Sequence, residues 1–135
     1  CGGMFDATRH ALAEARVRTS EIESIIAWGP GHKLVEWRAA QMMVQIFNLS
    51  LAEIPVVSIK GSIGSPVGAA PAIQVAAAAI GQRCSIIPPT VNWEYPDPGC
   101  PLNLSSRGRT VSHANALVNA HGIGGLNSSL VLQRC

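Results

Sequence analysis

The stretch IPVVSIKGSIGSPVGAAPAIQVAAAAIGQRCSII, residues 54–87, decides the fold. Its first six residues, Ile54–Ile59, form a continuous β-branched run, which predicts a strand covered on both faces. Ser65 followed by Pro66 is the usual start of a helix. The small residues that follow, to about Ile80, predict a helix buried between sheets, because they let neighbouring backbones approach closely. A strand followed by such a helix is a unit of a layered α/β domain.

Outward from this stretch, the sequence predicts one α/β domain over residues 1–135, in the order α-β-α-β-α-β-β. Apolar residues spaced three and four apart predict helices, and short β-branched runs predict strands. Residues 60–64 and 92–112 show no periodicity and are predicted to be loops. The other predicted elements are helices over Phe5–Arg16 and Lys33–Phe47, strands over Ser24–Trp28 and Ser85–Ile87, and a hairpin of Asn115–Asn119 with Ser128–Gln133.

Composition excludes several classes of function. Apolar residues make up 47% of the 135 residues and charged residues 13%, which excludes a disordered chain. A net charge of +2 is too small for a nucleic-acid or anionic-membrane surface. No signal peptide is predicted, and the uncharged run 61–82 is too rich in glycine, proline and alanine to span a membrane.

Cysteine spacing predicts neither a metal site nor a disulfide framework, because no CxxC pair is present. We therefore expect mostly reduced thiols in a cytoplasmic protein, with no metal and no cofactor; a disulfide between two of the cysteines is the less favoured alternative. The four cysteines are Cys1, Cys84, Cys100 and Cys135.

Three motifs lie in order along most of the chain. KGSIGSPVGAA (60–70) is similar to K-S-M-x-G-H-x-x-G-A-A, and IIPPTVN (86–92) with PDPGC (96–100) is similar to I-P-P-T-x-N…P-D-P-x-C. NAHGIGGLN (119–127) is similar to N-S-F-G-F-G-G-x-N. With these motifs the chain resembles the C-terminal half of the β-ketoacyl-acyl-carrier-protein synthases. The resemblance implies a thiolase-like layered half.

The same resemblance implies a chemistry that this chain does not complete. The family uses a cysteine nucleophile, which belongs to an N-terminal half absent from this chain, and two histidines that assist decarboxylation. The family histidine positions are Trp28 and Ser65 here. Neither an indole nor a serine hydroxyl titrates near neutral pH, so no residue is assigned as catalytic.

Other family positions are retained or replaced. The family lysine is Lys60, the glutamate that usually pairs with it aligns with Gln74, and the gatekeeping phenylalanine aligns with His121. His121, His32 and Lys60 are the candidates for a compensating catalytic role, although the favoured interpretation of both histidines is that they are ordinary polar loop residues.

The resemblance also places a substrate-binding turn after His121. Gly122, Gly124 and Gly125 are expected to form a tight turn with positive φ, and the His121 backbone N–H to contribute to an oxyanion hole. A plain hairpin connection is the alternative interpretation of these glycines. Elsewhere, Trp37 is predicted to pack in the core, Trp28 to line a ligand site or the core, and His10 and His113 to lie at the surface.

The leading functional hypothesis is a non-catalytic, chain-length-factor-like partner of an active synthase in fatty-acid or polyketide biosynthesis. Its expected partners are acyl carrier protein and either a ketosynthase subunit or the missing N-terminal half, in a dimer. The rival hypothesis is an acyltransferase or atypical condensing enzyme with a cysteine from the missing half and His121 or His32 as base. A third is a carrier-protein docking module that uses Arg83, Arg107 and Arg109.

Overall fold

A computed structural model describes residues 2–134, so the predictions for Cys1 and Cys135 lie outside the described residues. The secondary structure alternates helices with short strands and ends in a longer hairpin. The helices are α1 (Gly2–Ala15), α2 (Lys33–Phe47), α3 (Lys60–Ile63) and α4 (Ala70–Cys84). The strands are β1 (Ser24–Ile26), β2 (Val56–Val57), β3 (Ile86–Ile87), β4 (Arg109–Thr110), β5 (Asn115–His121) and β6 (Asn127–Gln133).

A four-stranded sheet with the order β2-β1-β5-β6 forms the centre of the domain. Strand β1 is parallel to both β2 and β5, and β5 is antiparallel to β6, which confirms the predicted hairpin. Because side chains alternate along a strand, Ile25 and Ile26 enter different hydrophobic clusters on the two faces of the sheet. The first cluster includes Leu12 and Met43 from α1 and α2, and the second includes Ala78 from α4. The sheet is therefore covered by helices on both faces.

The face of α4 toward the sheet carries two buried glutamines. The Gln74 side chain donates to backbone carbonyls at the carboxyl ends of β1 and β5, while that of Gln82 donates to Ala114 O at 2.8 Å and Leu132 O at 2.9 Å. These side chains are eight residues apart and lie on the same side of the helix. Hydrogen bonds therefore fix the position of α4 on the sheet, in addition to the packing of small residues.

The prediction that α4 is buried between sheets is correct for the face that packs on the central sheet and wrong for the opposite face. On the other face Ile73 is 38% exposed and Ile80 is 63% exposed within the described chain. No helix among residues 2–134 is long and apolar enough to cross a membrane.

Several predicted element boundaries were wrong. Ser65 does not cap a helix; Pro66 precedes a 3-10 turn, Val67–Ala69, that leads into α4. The predicted loop at residues 60–64 contains the helical turn α3, and the predicted strand 54–59 is shortened to β2 because only two of its residues pair in the sheet. The predicted loop 92–112 includes β4, which pairs antiparallel with β3.

Candidate active site

The candidate site forms where three strands end at one edge of the sheet. β1 and β5 are parallel with Ile26 beside Val118, and β2 is parallel to β1 with Val57 beside Ile26. Carboxyl ends of parallel strands meet at a common edge, where ligands bind in open α/β sheets. The residues that follow these ends therefore approach each other although they are distant in sequence.

Lys60 connects two of these strand ends. Its side chain is buried, with the residue 8% exposed, and its Nζ donates a hydrogen bond to the Trp28 carbonyl. Nζ also lies 6.0 Å from the centre of the Trp28 ring. Burial lowers the pKa of Lys60, and the charge of the Glu36 carboxylate acts in the opposite direction. Within residues 2–134 no carboxylate forms an ion pair with Lys60; the ion pair found there joins Arg18 to Glu21.

Gln74, the residue expected from the resemblance to align with the family glutamate, is buried on the face of α4 toward the sheet. Its Nε2 donates to Ala27 O at 2.8 Å and to Asn119 O at 3.1 Å, and the residue is 1% exposed. A carboxylate could make neither bond, because it has no donor. The Gln74 Oε1 and Asn119 Nδ2 atoms are buried without a hydrogen-bond partner among the described residues. The glutamine side chain thus ties the ends of β1 and β5 together.

Trp28 is packed against His121. The centres of the two rings are 4.7 Å apart and the rings are tilted by 60°. The His121 Nδ1 is hydrogen-bonded to the Asn127 side-chain oxygen, and the Asn127 amide donates to Gly125 O at 2.7 Å. His121 is therefore held between an indole and an amide, with its Nδ1 already engaged.

A cleft of about 590 Å³ opens beside Lys60. The Ser58–Gly61 segment forms one side, and the loop 90–104 forms the other. The two sides approach closely, since a Cβ added at Gly61 would collide with the Val91 carbonyl. The surface of the cleft is mainly apolar, with Val91, Leu102 and Leu104 among its lining residues, but the charged side chains of Lys33, Glu36, Lys60 and Asp97 and the hydroxyl of Ser65 also line it.

The structure separates the predicted site residues into two groups. Lys60 and Ser65 line the cleft, as do Ala27 and Gly29 on either side of Trp28. Among the described residues, His32 is exposed at the start of α2 and does not line the cleft. His121 also lies outside the cleft lining and contacts the site through Trp28.

The glycine turn follows the prediction in part. Gly124 and Gly125 have φ values of +90° and +84°, whereas positive φ is absent at Gly122, whose N–H donates to Leu126 O at 2.8 Å. This bond closes the hairpin. None of the three glycines is among the residues that line the cleft within the described chain.

Two other predictions were wrong. Trp37 is 40% exposed rather than packed in the core, because α2 turns that side toward solvent and the Arg38 guanidinium covers the ring at 5.2 Å. His113 is 2% exposed, and the Ser24 hydroxyl and His113 Nδ1 are hydrogen-bonded at 3.0 Å. Its Nε2 has no partner among the described residues. No sequence motif marked His113 or Gln82 as buried.

The described cysteines are free thiols. Cys84 is exposed, and Cys100 lines the cleft in a partly buried position. Burial, together with the negative charges of Asp97 and Glu36, raises the pKa of Cys100. A raised pKa disfavours the thiolate, so this cysteine is poorly suited to act as a nucleophile.

A comparison with known protein families agrees with the resemblance that the sequence motifs indicate. Residues 2–94 match the family described as beta-ketoacyl synthase, C-terminal domain. The chain belongs to this family. This β-ketoacyl synthase C-terminal domain is 33% identical over 133 residues to the ketoacyl synthase beta subunit of the tetracenomycin polyketide synthase from Streptomyces glaucescens, covering 98% of this chain and 32% of that protein.

Solved structures confirm the fold of this β-ketoacyl synthase domain. The ishigamide ketosynthase/chain length factor matches with a TM-score of 0.94 and 29% identity, over 99% of this chain and 33% of the other. A ketosynthase solved in complex with a type II PKS acyl-carrier protein matches with a TM-score of 0.94 and 26% identity, over 98% of this chain and 33% of the other. The α/β, thiolase-like fold predicted from the sequence is thus confirmed, and the chain spans about a third of the length of these proteins.

Proposed function

We propose that this domain belongs to a non-catalytic, chain-length-factor-like partner of an active β-ketoacyl synthase in fatty-acid or polyketide biosynthesis. The observation that carries the proposal is the pair Trp28 and Ser65 at the two family histidine positions. Similarity alone does not distinguish a catalytic from a non-catalytic member, since both share the scaffold. The residues at these two positions make the distinction.

The contacts around Trp28 support a loss of proton chemistry. An imidazole at this position could donate to a developing enolate oxygen, but the indole ring is packed on His121 and its backbone carbonyl accepts from Lys60. Ser65 lines the cleft with a hydroxyl that carries no charge at neutral pH. The scaffold could therefore shape an acyl site without decarboxylating a malonyl thioester.

Exposed apolar surface supports a covering partner. Ile73 and Ile80 on α4, and Ile123 at 95% and Leu126 at 75% exposure on the hairpin tip, are large apolar side chains. We infer that an N-terminal half or a ketosynthase subunit covers them. Acyl carrier protein is the further partner proposed, because a relative of this fold is a ketosynthase in complex with its carrier protein. A cytoplasmic location is part of the same proposal.

The rival enzymatic hypotheses receive less support. His32 is exposed outside the cleft lining, and His121 also lies outside that lining with its ring packed on Trp28, so neither is placed as a base toward the cleft. For the docking hypothesis, Arg83 and Arg107 are exposed, but Arg109 is partly buried and donates to Asn103 at 2.7 and 2.9 Å. His121 remains the residue through which an atypical condensing enzyme would have to act.

The test combines the protein encoded by this gene with a catalytically complete β-ketoacyl synthase and malonyl-carrier protein. We expect it to form no β-ketoacyl product alone, to co-elute with the synthase, and to change the chain length of the synthase's product. Leu126→Asp should weaken co-elution by adding a charge to the apolar hairpin tip. Leu49→Asp is the matched control, because Leu49 is 93% exposed and lies in the 3-10 turn after α2, outside the hairpin and α4.

Product formation by the protein alone would contradict the proposal. If an acylated cysteine also formed, and its formation were lost in His121→Ala, the rival condensing-enzyme hypothesis would be supported instead. Equal loss of co-elution in Leu126→Asp and Leu49→Asp would indicate that the hairpin tip is not the interface.

A further inference from the structure

Three consecutive backbone carbonyls in the loop after β1 each accept a hydrogen bond from a side chain of a different segment. The carbonyls belong to Ala27, Trp28 and Gly29, and their donors are Gln74 on α4, Lys60 on α3 and Ser58 after β2. A loop that is held at three successive peptide groups by separate segments has little freedom to move. The backbone on both sides of the Trp28 side chain is therefore fixed.

Ser58 connects two parts of this arrangement. Its hydroxyl donates to the Gly29 carbonyl at 2.8 Å, and the Lys60 backbone N–H donates to the same hydroxyl at 3.4 Å. A serine hydroxyl can donate one hydrogen bond and accept others, so a single side chain serves both contacts. The Ser58 N–H donates to Thr90 Oγ1 at 3.2 Å, on the opposite side of the cleft. Ser58 thus joins the Trp28 loop to the residue that holds the Trp28 carbonyl.

Gly29 allows Ser58 to approach the loop closely. Its φ of +45° lies in the left-handed region, which glycine adopts without a steric penalty. A Cβ added at Gly29 would collide with the Ser58 side chain. The turn that directly follows Trp28 is therefore shaped by its contact with Ser58.

This backbone directs the Trp28 side chain away from the cleft. Ala27 and Gly29 line the cleft, whereas Trp28 is absent from its lining within residues 2–134. The indole instead packs on the His121 ring, with the ring centres 4.7 Å apart. An indole turned toward the cleft would fill part of its volume of about 590 Å³. The direction of Trp28 therefore determines how much of the cleft stays open.

We propose that Ser58 is a positioning residue that holds the Trp28 indole out of the cleft and against His121. It acts through the Gly29 carbonyl and the Lys60 backbone, and it does not touch the indole contact itself. This inference deepens the proposed function, because it names the residue that keeps an indole at a family histidine position from blocking the site. It rests on that function only in giving the open cleft a purpose.

The experiment measures the contact between the two rings in the folded protein. The ring current of an indole displaces the NMR resonances of nearby protons, so the imidazole C–H resonances of His121 report the position of Trp28. His121→Gln identifies these resonances among those of the four histidines, and Trp28→Leu gives their positions without the indole. In Ser58→Ala we expect the ratio of stacked to unstacked Trp28 to fall about fivefold, as for the loss of one hydrogen bond. The His121 resonances then move toward their positions in Trp28→Leu, and unchanged resonances would overturn the proposal.

Two control variants separate positioning from general stability. Ser58→Thr keeps the hydroxyl and should keep the wild-type resonances of His121. Ser62→Ala removes an exposed hydroxyl from α3 and should also leave them in place. A merely structural role of Ser58 would lower the free energy of unfolding without moving the His121 resonances of the folded state. Equal movement in Ser58→Thr or in Ser62→Ala would overturn the assignment to the Ser58 hydroxyl.

A second variant disturbs the same contact from the other side. Gly29→Ala places a Cβ against Ser58 and should move the His121 resonances in the same direction, which keeps the proposal testable if Ser58→Ala does not fold. These readouts are independent of the proposed function. If the protein forms β-ketoacyl product by itself while the resonances depend on Ser58, the non-catalytic role fails and the positioning role stands. If no product forms and the resonances do not depend on Ser58, the positioning role fails alone.

Discussion

The replacement Gln74→Glu tests whether the amide at this position is required by the structure. Gln74 is 1% exposed, and its Nε2 donates to Ala27 O at 2.8 Å and Asn119 O at 3.1 Å. A carboxylate would lose both hydrogen bonds and place a buried negative charge against two carbonyl oxygens. Each lost bond costs about 1 kcal/mol, and the unpaired buried charge raises the total to about 3–5 kcal/mol at pH 7.

The assay is urea denaturation of the full chain, followed by circular dichroism. Gln74→Met removes the two donors without adding charge, so we expect it to cost about 2–3 kcal/mol. Gln45→Glu, at an exposed position on α2, is the matched control and should change the free energy of unfolding by less than about 0.5 kcal/mol. Acidification should reduce the deficit of Gln74→Glu relative to the wild type, since a protonated carboxyl regains one donor.

A free energy of unfolding for Gln74→Glu within about 1 kcal/mol of the wild type would refute the reasoning. In that case the ammonium of Lys60 would be compensating the introduced carboxylate, as in the family's usual pair.

Two further predictions concern the cleft. Gly61→Ala would place a Cβ against the Val91 carbonyl and should lower the free energy of unfolding by about 1–3 kcal/mol in urea denaturation. Gly68→Ala, which has open space around the added Cβ, is the control and should be neutral or slightly stabilising. Equal effects of the two substitutions would show that residues 61 and 91 do not approach closely. Burial lowers the pKa of Lys60 below its unfolded value, so the unfolded state binds more protons between the folded pKa and about 10.5. The free energy of unfolding of the wild type should therefore increase relative to that of Lys60→Met between pH 7 and pH 10. If the difference between the two proteins is the same at both pH values, the lowered pKa of Lys60 is contradicted.

The elements with strong local patterns could be predicted from the sequence. Helix α2 was predicted at its observed bounds, Lys33–Phe47, because its apolar residues recur at helical spacing, and the β5–β6 hairpin followed from two apolar runs around glycines. The bounds of β2 and the start of α4 were not predictable, because they depend on tertiary pairing. Only Val56–Val57 of a longer β-branched run finds a strand neighbour.

The site was predictable as a set of positions but not as a set of contacts. Family motifs placed Trp28, Ser65 and Lys60 at the site, yet nothing in the sequence indicated that Trp28 packs on His121 or that Lys60 donates to a backbone carbonyl. The sequence also did not indicate that Gln74 and Gln82 lie on the face of α4 toward the sheet, because they stand in a segment dominated by alanine. Their hydrogen-bond partners are supplied by strands that are distant in sequence.

The most direct measurement of the central claim is the release of carbon dioxide from malonyl-carrier protein by the purified protein alone. A synthase scaffold with an indole and a hydroxyl in place of its two imidazoles should release none above the rate of a protein-free control. Release well above that control, with a pH profile that reports a titrating histidine, would contradict the claim and assign the proton chemistry to another residue of this protein.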